Sequence, residues 1–280
     1  MKNKIGKLFI VATPIGNLAD ITLRALDVLK IVDIILCEDT RVTSVLLRHH
    51  LIDKPLLVYN DHSDKNTRDK IINYLEEGKK LALVSDAGTP LISDPGYKLI
   101  QDLKERNIEI ETIPGPCSVI AALTLSGLPT DRFTFIGFLP PKTAAKEKIF
   151  TEFLLHQASI ICFESANRLI DTLELMEQYF TNRSIVVARE ITKLYQEVTD
   201  GTASEIIKYY KDNQDKLRGE IVLILSPPGD AVLNIEEQVT ERLHKLLKEM
   251  SLRDAVDAVA SQSSMSKKYV YKLALGIKNL

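Results

Sequence analysis

The chain has 280 residues, more than one typical domain, and 45% of them are hydrophobic, which is ample for globular cores. The net charge of −2 does not indicate a nucleic-acid binder, so any basic surface must be local. No signal peptide precedes the first strand, no apolar run could cross a membrane, and the cysteines show neither metal-ligand nor disulfide spacing. We therefore expect a reduced, cytoplasmic protein that uses neither a membrane nor a metal.

The first 115 residues alternate short apolar runs with helical patterns, which predicts a mostly parallel sheet in an α/β domain. We expect its strands at residues 8–12, 34–37, 56–59, 81–84 and 108–113. Asp20 is expected to cap the first helix. Open α/β sheets bind small ligands beyond the carboxyl ends of their strands, so a site is expected in the loops that follow these strands.

The first two strands end in polar loops. The first runs into Thr13-Pro-Ile-Gly-Asn17, which lacks the Gly-x-Gly-x-x-Gly fingerprint of Rossmann dinucleotide-binding proteins. The second ends in Glu38-Asp-Thr-Arg41, and two adjacent carboxylates beside an arginine are seldom buried without a function. The alternative is that Asp39 or Thr40 only caps the next helix while Arg41 lies in solvent.

Residues 81–96 are the centre of the pattern, because a strand typical of burial on both faces runs into a loop dense in Ser, Asp, Gly and Pro. Gly88 allows close approach of the backbone to a ligand or a positive φ, and the loop prolines reduce the entropy lost when a ligand orders the loop. A turn-rich connection with helix caps is the alternative. The fifth strand ends at Pro114-Gly-Pro116, before a helix whose first N–H groups are unpaired.

The second half of the chain predicts an α+β domain with a mixed sheet. Its expected strands are residues 133–138, 159–163, 185–188, 195–201, which would be antiparallel to its neighbour, and 219–225. Charged groups again follow the strands, in Glu164-Ser-Ala-Asn-Arg168 and Arg189-Glu-Ile-Thr-Lys193. Three lysines, Lys142, Lys146 and Lys148, are expected to cluster at an exposed turn.

We place the domains at residues 1–126 and 127–226, followed by a helical tail at 231–280. Ser251 and Ser266 are expected to cap tail helices, and the two short helices that end the chain resemble a helix-turn-helix. From Ser251 onward the sequence contains five Lys or Arg and two Asp, which gives a local charge of +3 that suits RNA docking. The alternative is an amphipathic hairpin that packs on the second domain or on a partner chain.

Six segments, taken in order, carry a resemblance that no single one would carry: residues 13–17, 38–41, 85–90, 114–116, 189–193 and 218–220. Together they resemble the tetrapyrrole-methylase-like family of S-adenosylmethionine-dependent methyltransferases, and within it the branch that modifies ribosomal RNA. The resemblance implies two α/β domains with S-adenosylmethionine in the cleft between them, in a homodimer. It also implies 2′-O-methylation of a cytidine ribose in the decoding region of 16S ribosomal RNA, within the small ribosomal subunit.

The resemblance also implies which residues surround the cofactor. The loop at residues 13–17 should close the cleft near the acceptor, and the end of the last strand near Gly219 should approach the adenine. The residues implied to lie around the cofactor are Pro14, Gly16, Asp86, Ala87, Gly88, Thr89, Pro114, Gly115, Pro116, Ser118, Gly219 and Ile221.

The chemistry of such a transfer narrows the catalytic residues. Displacement at an activated sulfonium methyl needs in-line positioning and no metal. A ribose hydroxyl must also lose its proton, and a carboxylate can accept it. We expect Glu38 or Asp39 to be that carboxylate, with Arg41 holding a phosphate or orienting a carboxylate.

Two other functions fit parts of the sequence. A tetrapyrrole C-methyltransferase, acting on a cobalamin or siroheme precursor, would share the fold, but residues 13–17 replace the Gly-rich opening of that branch and the tail is basic. A non-enzymatic RNA- or nucleotide-binding module would not need several polar loops that converge at strand ends, a layout suited to a buried small ligand.

Overall fold

The computed structural model describes residues 5–60, 62–180, 183–263, 265 and 267–278, except for the side chains of 230–236, 268, 272 and 278. The chain divides into two units. The first contains the residues up to Ala121 together with Glu190–Gln196, and the second contains Ala122–Arg189 and the residues from Glu197 onward. No helix in the described part of the chain is long and apolar enough to cross a membrane.

The first unit is built on a parallel five-stranded sheet with the strand order β3-β2-β4-β1-β5, which confirms the predicted α/β architecture. Its strands begin and end within one residue of the predicted positions. Its elements are β1 (Lys7–Val11), α1 (Leu23–Ile31), β2 (Ile34–Cys37), α2 (Thr40–His49), β3 (Leu56–Val58), α3 (Lys65–Glu76), β4 (Lys80–Val84), α4 (Tyr97–Glu105) and β5 (Glu109–Ile113); α5 (Ser118–Leu125) begins in this unit and continues into the second.

Helices cover both faces of this sheet, which explains why its central strands are apolar except for the lysines that begin β1 and β4. On one face α1 and α2 contribute Leu29 and Leu46 to a core with the strand residue Val11. On the other face α3 and α4 contribute Leu75 and Leu99. Because helices cover both faces of the sheet, we expect a ligand to bind at the polar loops along the carboxyl edge of the sheet.

The prediction that Asp20 caps the first helix is wrong. Asp20 ends a short 3₁₀ turn, Leu18–Asp20, which Asn17 caps by accepting a hydrogen bond from the Ala19 N–H at 3.1 Å. Helix α1 starts later and is capped by Thr22, whose hydroxyl accepts the Ala25 N–H at 3.1 Å. The loop after β1 is therefore a capped turn of its own, which separates the strand from the helix.

The second unit contains a mixed five-stranded sheet with the order β6-β7-β10-β8-β9, as predicted. Strands β6 and β7 are parallel, whereas β10 is antiparallel to β7 and β8, and β8 is antiparallel to β9. Its elements are β6 (Phe133–Phe138), α6 (Thr143–Glu152), β7 (Ser159–Ser165), α7 (Leu169–Tyr179), β8 (Ile185–Arg189), β9 (Glu197–Gly201), α8 (Ala203–Asp212) and β10 (Glu220–Leu225). Helices α6, α7 and α8 pack on one face through Phe150, Leu173 and Tyr210.

The expectation of an exposed lysine cluster is wrong for Lys146. Lys142 and Lys148 are exposed, but Lys146 is buried on the face of α6 that also carries Phe150. Its ammonium lies 2.8 Å from the carboxylate of Glu164, at the end of β7. A buried lysine is tolerated here because that carboxylate compensates its charge.

The described residues of the tail form the helices α9 (Asp230–Leu246), α10 (Leu252–Ala260) and α11 (Lys267–Lys278). They share an apolar core that includes Val239, Val256 and Val270. Ser251 caps α10 as predicted, by accepting the Asp254 N–H. The predicted cap at Ser266 lies outside the described residues.

Candidate functional site

The loops after β1 and β4 are joined by a two-residue antiparallel bridge between Thr13 and Gly88. The Thr13 N–H donates to the Gly88 carbonyl at 2.9 Å, and the Gly88 N–H donates to the Thr13 carbonyl at 3.1 Å. Two buried hydroxyls reinforce it: that of Thr13 donates to the Ser85 carbonyl at 3.1 Å, and that of Ser85 donates to the Gly88 carbonyl at 3.0 Å. The bridge therefore continues strand pairing beyond the sheet edge.

Gly88 is required by its backbone conformation. Its φ is +90°, a value that side chains with a Cβ rarely adopt. A Cβ at this position would also lie 3.2 Å from Cγ2 of Ile15. Of the two reasons that the sequence offered for a glycine here, the structure shows the positive φ; close approach to a ligand stays a prediction.

The loop after β5 is tied to the same loops. The Thr89 hydroxyl donates to the Pro116 carbonyl at 2.9 Å, although β1 lies between β4 and β5 in the sheet. A Cβ on Gly115 would lie 3.0 Å from Cβ of Ala12, so this glycine lets the loop pack against the end of β1. Residues 12–17, 38–41, 85–90 and 114–116 are called the strand-end cradle below.

Asp86 joins the loop after β2 to the cradle. One of its carboxylate oxygens, Oδ1, accepts the Asp39 N–H at 3.1 Å, and the side chain is only partly exposed. Burial raises the pKa of Asp86, and the negative charge of Asp39 acts in the same direction. Its other oxygen accepts no hydrogen bond from the described part of the chain, so Asp86 can take a donor from a ligand.

Asp39 has a different environment. It caps α2 by accepting the Arg41 N–H at 2.8 Å, and the Arg41 guanidinium contacts both carboxylate oxygens, with Nε at 3.0 and 3.1 Å. The hydrogen bonds from Arg41 lower the pKa of Asp39 to about 2. The capping interpretation of Asp39 is therefore correct, and Arg41, whose side chain is 89% exposed, is paired with the cap.

The segment Glu190–Gln196, which connects β8 and β9, belongs to the first unit. A Cβ on Gly16 would lie 2.5 Å from Cγ of Lys193 and 2.9 Å from the hydroxyl of Thr192, so Gly16 is the position at which this segment meets the cradle. Thr192 has φ +67°, a strained value for a β-branched residue, and its hydroxyl is buried without a partner in the described chain. Strain of this kind concentrates at functional loops.

Most of the predicted cofactor residues meet at the carboxyl edge of the first sheet, but Gly219 and Ile221 do not belong to this unit. Gly219 precedes β10 with φ +88°. The side chain of Ile221 is buried in the core of the second unit, so only its main chain is available to a ligand. Ser118 is the first residue of α5.

Sequence reasoning missed the residues that hold the cradle together. Thr13 and Ser85 anchor the bridge, and Thr192 and Lys193 pack against Gly16. Short hydroxyl side chains directly after apolar strands were the available signal for the first pair. The second pair lies in the segment 189–193, which the sequence marked as a charged strand end, but no local pattern indicated that this segment would meet Gly16. The described residues contain no group of three or more His, Cys, Asp or Glu that could hold a metal ion.

A family model described as Tetrapyrrole (Corrin/Porphyrin) Methylases matches residues 7–207. The chain belongs to this family. A second model, described as the RsmI C-terminal HTH domain, matches residues 234–278, which covers most of the helical tail. The resemblance that the six segments carried is thereby confirmed.

Relatives within the family support the same assignment over nearly the whole chain. The protein named Ribosomal RNA small subunit methyltransferase I of Rickettsia prowazekii is 56% identical over 219 residues, 78% of each chain. The protein of the same name from Escherichia coli O157:H7 is 39% identical over 98% of this chain and 96% of its own. The relatives therefore carry the name of the branch that the motifs resemble.

Solved structures of the family are similar in fold. The cobalamin biosynthetic enzyme cobalt precorrin-4 methyltransferase matches with a TM-score of 0.57 at 19% identity, over 79% of this chain and 94% of its own. The uroporphyrin-III C-methyltransferase of Thermus thermophilus matches with the same scores and coverage. At this identity the likeness shows the fold alone.

Proposed function

We propose that this protein transfers a methyl group from S-adenosylmethionine to the 2′-hydroxyl of a cytidine ribose in 16S ribosomal RNA, in the decoding region of the small ribosomal subunit. The observation that carries the proposal is the strand-end cradle, which the Thr13–Gly88 bridge holds rigid in a chain of the methylase family. The names of the relatives support the substrate class. We place the protein in the cytoplasm, where ribosomal RNA is found.

The residues of the cradle fit S-adenosylmethionine. Asp86 offers a half-buried carboxylate whose second oxygen accepts nothing in the described chain, and this suits the ammonium or the ribose hydroxyls of the cofactor. Gly88 and Gly115 keep the backbone open to close approach. We therefore assign the cofactor to the cradle positions that the family resemblance implied, and propose that Gly219 and the main chain of Ile221 lie near the adenine.

The main task of the protein is then positioning. The bound cofactor supplies a methyl group that is already activated, and holding an acceptor in line with it can supply about 7–11 kcal/mol of the barrier. The Thr13–Gly88 bridge and the bond from Thr89 to Pro116 fix three loops relative to one another before any ligand binds. Little conformational entropy is lost on binding to loops that are already ordered.

The proton of the ribose hydroxyl needs an acceptor, and the contacts of Asp39 count against Asp39 as that acceptor. Asp39 is a poor base, because Arg41 occupies both of its oxygens and its pKa of about 2 lies far from neutral pH. We assign proton acceptance to Glu38, the adjacent carboxylate. Asp39 then orients Arg41, whose exposed guanidinium suits a phosphate of the RNA.

The remaining partners are also proposals. We propose that the tail at residues 231–280 docks on RNA and that the protein is a homodimer. Lys267 forms an ion pair with Asp257 of α10. The side chains of Lys268, Lys272 and Lys278, three of the five basic residues from Ser251 onward, lie outside the described residues.

The first test is the reaction itself. The protein should bind S-adenosylmethionine in calorimetry and transfer labelled methyl to small ribosomal subunits, with the label on a ribose oxygen of a cytidine. Porphyrinoid precursors serve as the comparison substrate. Transfer to a porphyrinoid carbon instead would establish the tetrapyrrole alternative, and RNA binding without cofactor binding would establish the non-enzymatic module.

Replacing Gly88 tests the cofactor site. Gly88→Ala and Gly88→Val place a Cβ against Ile15 in a backbone conformation that suits only glycine, so affinity for S-adenosylmethionine should fall at least tenfold, about 1.4 kcal/mol. Gly127→Ala is the matched control, because Gly127 also has a positive φ, +67°, but nothing lies within 4 Å of its Cβ position. A folded Gly88 variant that binds like the control in calorimetry argues against the site.

Replacing the two carboxylates tests the catalytic assignment. Glu38→Gln should keep cofactor affinity and lower the single-turnover rate at least about a hundredfold, because an amide cannot accept the proton. Asp39→Asn keeps a good helix cap and should weaken RNA binding more than the rate. Glu105→Gln, an exposed change at the end of α4, is the control. A near-normal rate for Glu38→Gln means that the base is another group or solvent.

Truncation after Asp230 tests the tail. Both sheets should survive, because β10 ends at Leu225 and the Ser226 carbonyl stays anchored by Nε of Arg183 at 2.7 Å. Cofactor binding should be unchanged, while binding to small subunits should weaken and depend less on salt. Neutralising Lys267, Lys268 and Lys272 together should reduce the salt dependence in the same way.

An equal change of charge on the first unit, at the exposed residues Lys30, Lys98 and Lys104, is the control for the lysine variant. Light scattering distinguishes the other role of the tail. A truncated protein that becomes monomeric and less stable, yet binds RNA with the normal salt slope, has lost a dimer support and not an RNA-docking surface.

A further inference from the structure

A second set of charged side chains lies at the carboxyl end of β7 in the second unit. The Glu164 cluster consists of Lys146, Glu164, Arg168 and Thr172. Glu164 and Lys146 are almost fully buried, and the Lys146 ammonium lies 2.8 Å from Oε2 of the carboxylate. The Thr172 hydroxyl donates to the same oxygen at 2.7 Å. These contacts satisfy one side of the carboxylate.

Arg168 is held on the other side. Its Nη2 lies 2.6 Å from Oε1 of Glu164, and its Nε donates to the Ser165 hydroxyl at 2.9 Å. Oε1 also accepts the Ser165 N–H at 2.7 Å. The guanidinium is therefore fixed at two points, while 28% of the side chain stays exposed.

The cluster contains more positive than negative charge. One buried carboxylate faces two cations, and Lys146, which is the more buried, already neutralises it. Burial raises the pKa of Glu164, but the hydrogen bonds from Lys146 and Thr172 outweigh it, so the pKa is below its usual range and the carboxylate is ionised. Arg168 therefore adds about one positive charge that the cluster does not cancel.

The surroundings of Arg168 do not remove that charge. Asp171, in the first turn of α7, is exposed and forms no ion pair with Arg168. Across the strand pair, Glu220 of β10 is opposite Ser165. Arg218, two residues before Glu220 in the chain, adds a positive charge that offsets the negative charge of Glu220. Nη1 of Arg168 makes no hydrogen bond within the described residues, so the Nη1 end of the guanidinium is available to an anion.

A phosphate fits this arrangement best. Ser165 and Asn167 are exposed on either side of the buried Ala166, so the turn that carries Arg168 presents three of the side-chain types that most often contact phosphate oxygens. A fixed guanidinium binds phosphate with two parallel N–H bonds, and its preorganisation lowers the entropy lost on binding. The bonds to Glu164 and Ser165 provide that preorganisation.

We propose that Arg168, held by Glu164 and Ser165, binds a backbone phosphate of the RNA substrate. The inference rests on the proposed function, because it takes RNA as the polyanion. Such a contact orients the RNA without reading its sequence. Glu164 and Ser165 are positioning residues, and Lys146 allows Glu164 to remain charged in the core.

Arg168→Gln is the direct test, with binding of small-subunit RNA measured at several salt concentrations. Affinity at low salt should fall about tenfold. The slope of log affinity against log salt should become shallower by about one, which is the contribution of one phosphate contact. Arg168→Lys keeps the charge and should keep the slope while losing part of the affinity, since an ammonium lacks the fork. Cofactor affinity, measured without RNA, should be unchanged in both variants.

Two further variants separate a bound phosphate from a structural role. Lys211→Gln removes an exposed cation of the same unit that is paired with Glu174 at 3.0 Å, and it should leave RNA affinity nearly unchanged. Ser165→Ala loosens Arg168 without removing charge, so RNA affinity should fall roughly threefold with the salt slope preserved. A structural role predicts lower thermal stability for these variants with no change in the RNA slope.

The outcomes are distinct. RNA binding by Arg168→Gln that matches Lys211→Gln overturns the inference and leaves the proposed function intact. Weaker binding of S-adenosylmethionine by Arg168→Gln overturns it too, and assigns the guanidinium to the cofactor carboxylate. A wild-type protein that neither binds nor methylates small-subunit RNA overturns the proposed function together with the inference. If Arg168→Gln does not fold, Arg168→Lys and Ser165→Ala decide between phosphate binding and structure.

Discussion

The candidate site depends on one short interaction, the antiparallel bridge between Thr13 and Gly88. Strands β1 and β4 are parallel neighbours, and the segment after each strand must leave the sheet for the helix that follows it. The bridge keeps these two segments hydrogen-bonded to each other beyond the ends of the strands. It is possible because Gly88 has a φ of +90°, and because Thr13 and Ser85 use their buried hydroxyls on the carbonyls of the turn. Each of these groups would otherwise be a buried polar atom without a partner.

Apart from two helix ends, the non-glycine residues with positive φ in the described chain lie in the loop that carries Gly88 and in the segment Glu190–Gln196. Positive φ in non-glycine residues occurs at Leu51 and Asn107, where helices end in the ordinary left-handed cap, and at Leu91 and Ser93 of the loop that carries Gly88. It occurs again in the segment Glu190–Gln196, at Glu190 and Thr192. Loops held in rare conformations by surrounding packing are already shaped before a ligand arrives. This fits a transfer reaction in which positioning does most of the work.

Both proposed anion contacts use an arginine fixed by a neighbouring carboxylate, in different ways. Asp39 lies at a helix start and holds Arg41 in a pair whose arginine side chain is 89% exposed, so the guanidinium is open to an anion from the solvent side. Glu164 is buried and holds Arg168 at the sheet edge, where Lys146 supplies the compensating charge from the core. A chain with a net charge of −2 can thus meet a polyanion through a few placed guanidinium groups.

The sequence by itself determined the strands of both sheets to within two residues, the parallel and mixed architectures, the helical tail and the loops of the cradle. These follow from local patterns, because apolar runs, glycines and polar strand ends report the environment of each segment directly. Three features were decided only by tertiary structure: that the Asp86 carboxylate accepts the Asp39 N–H, that Lys146 is buried against Glu164, and that Lys193 packs against Gly16. Each depends on which side chain meets another across the fold. A charged residue has the same local pattern whether its partner is water or a carboxylate from a distant strand, so only the folded chain distinguishes the two.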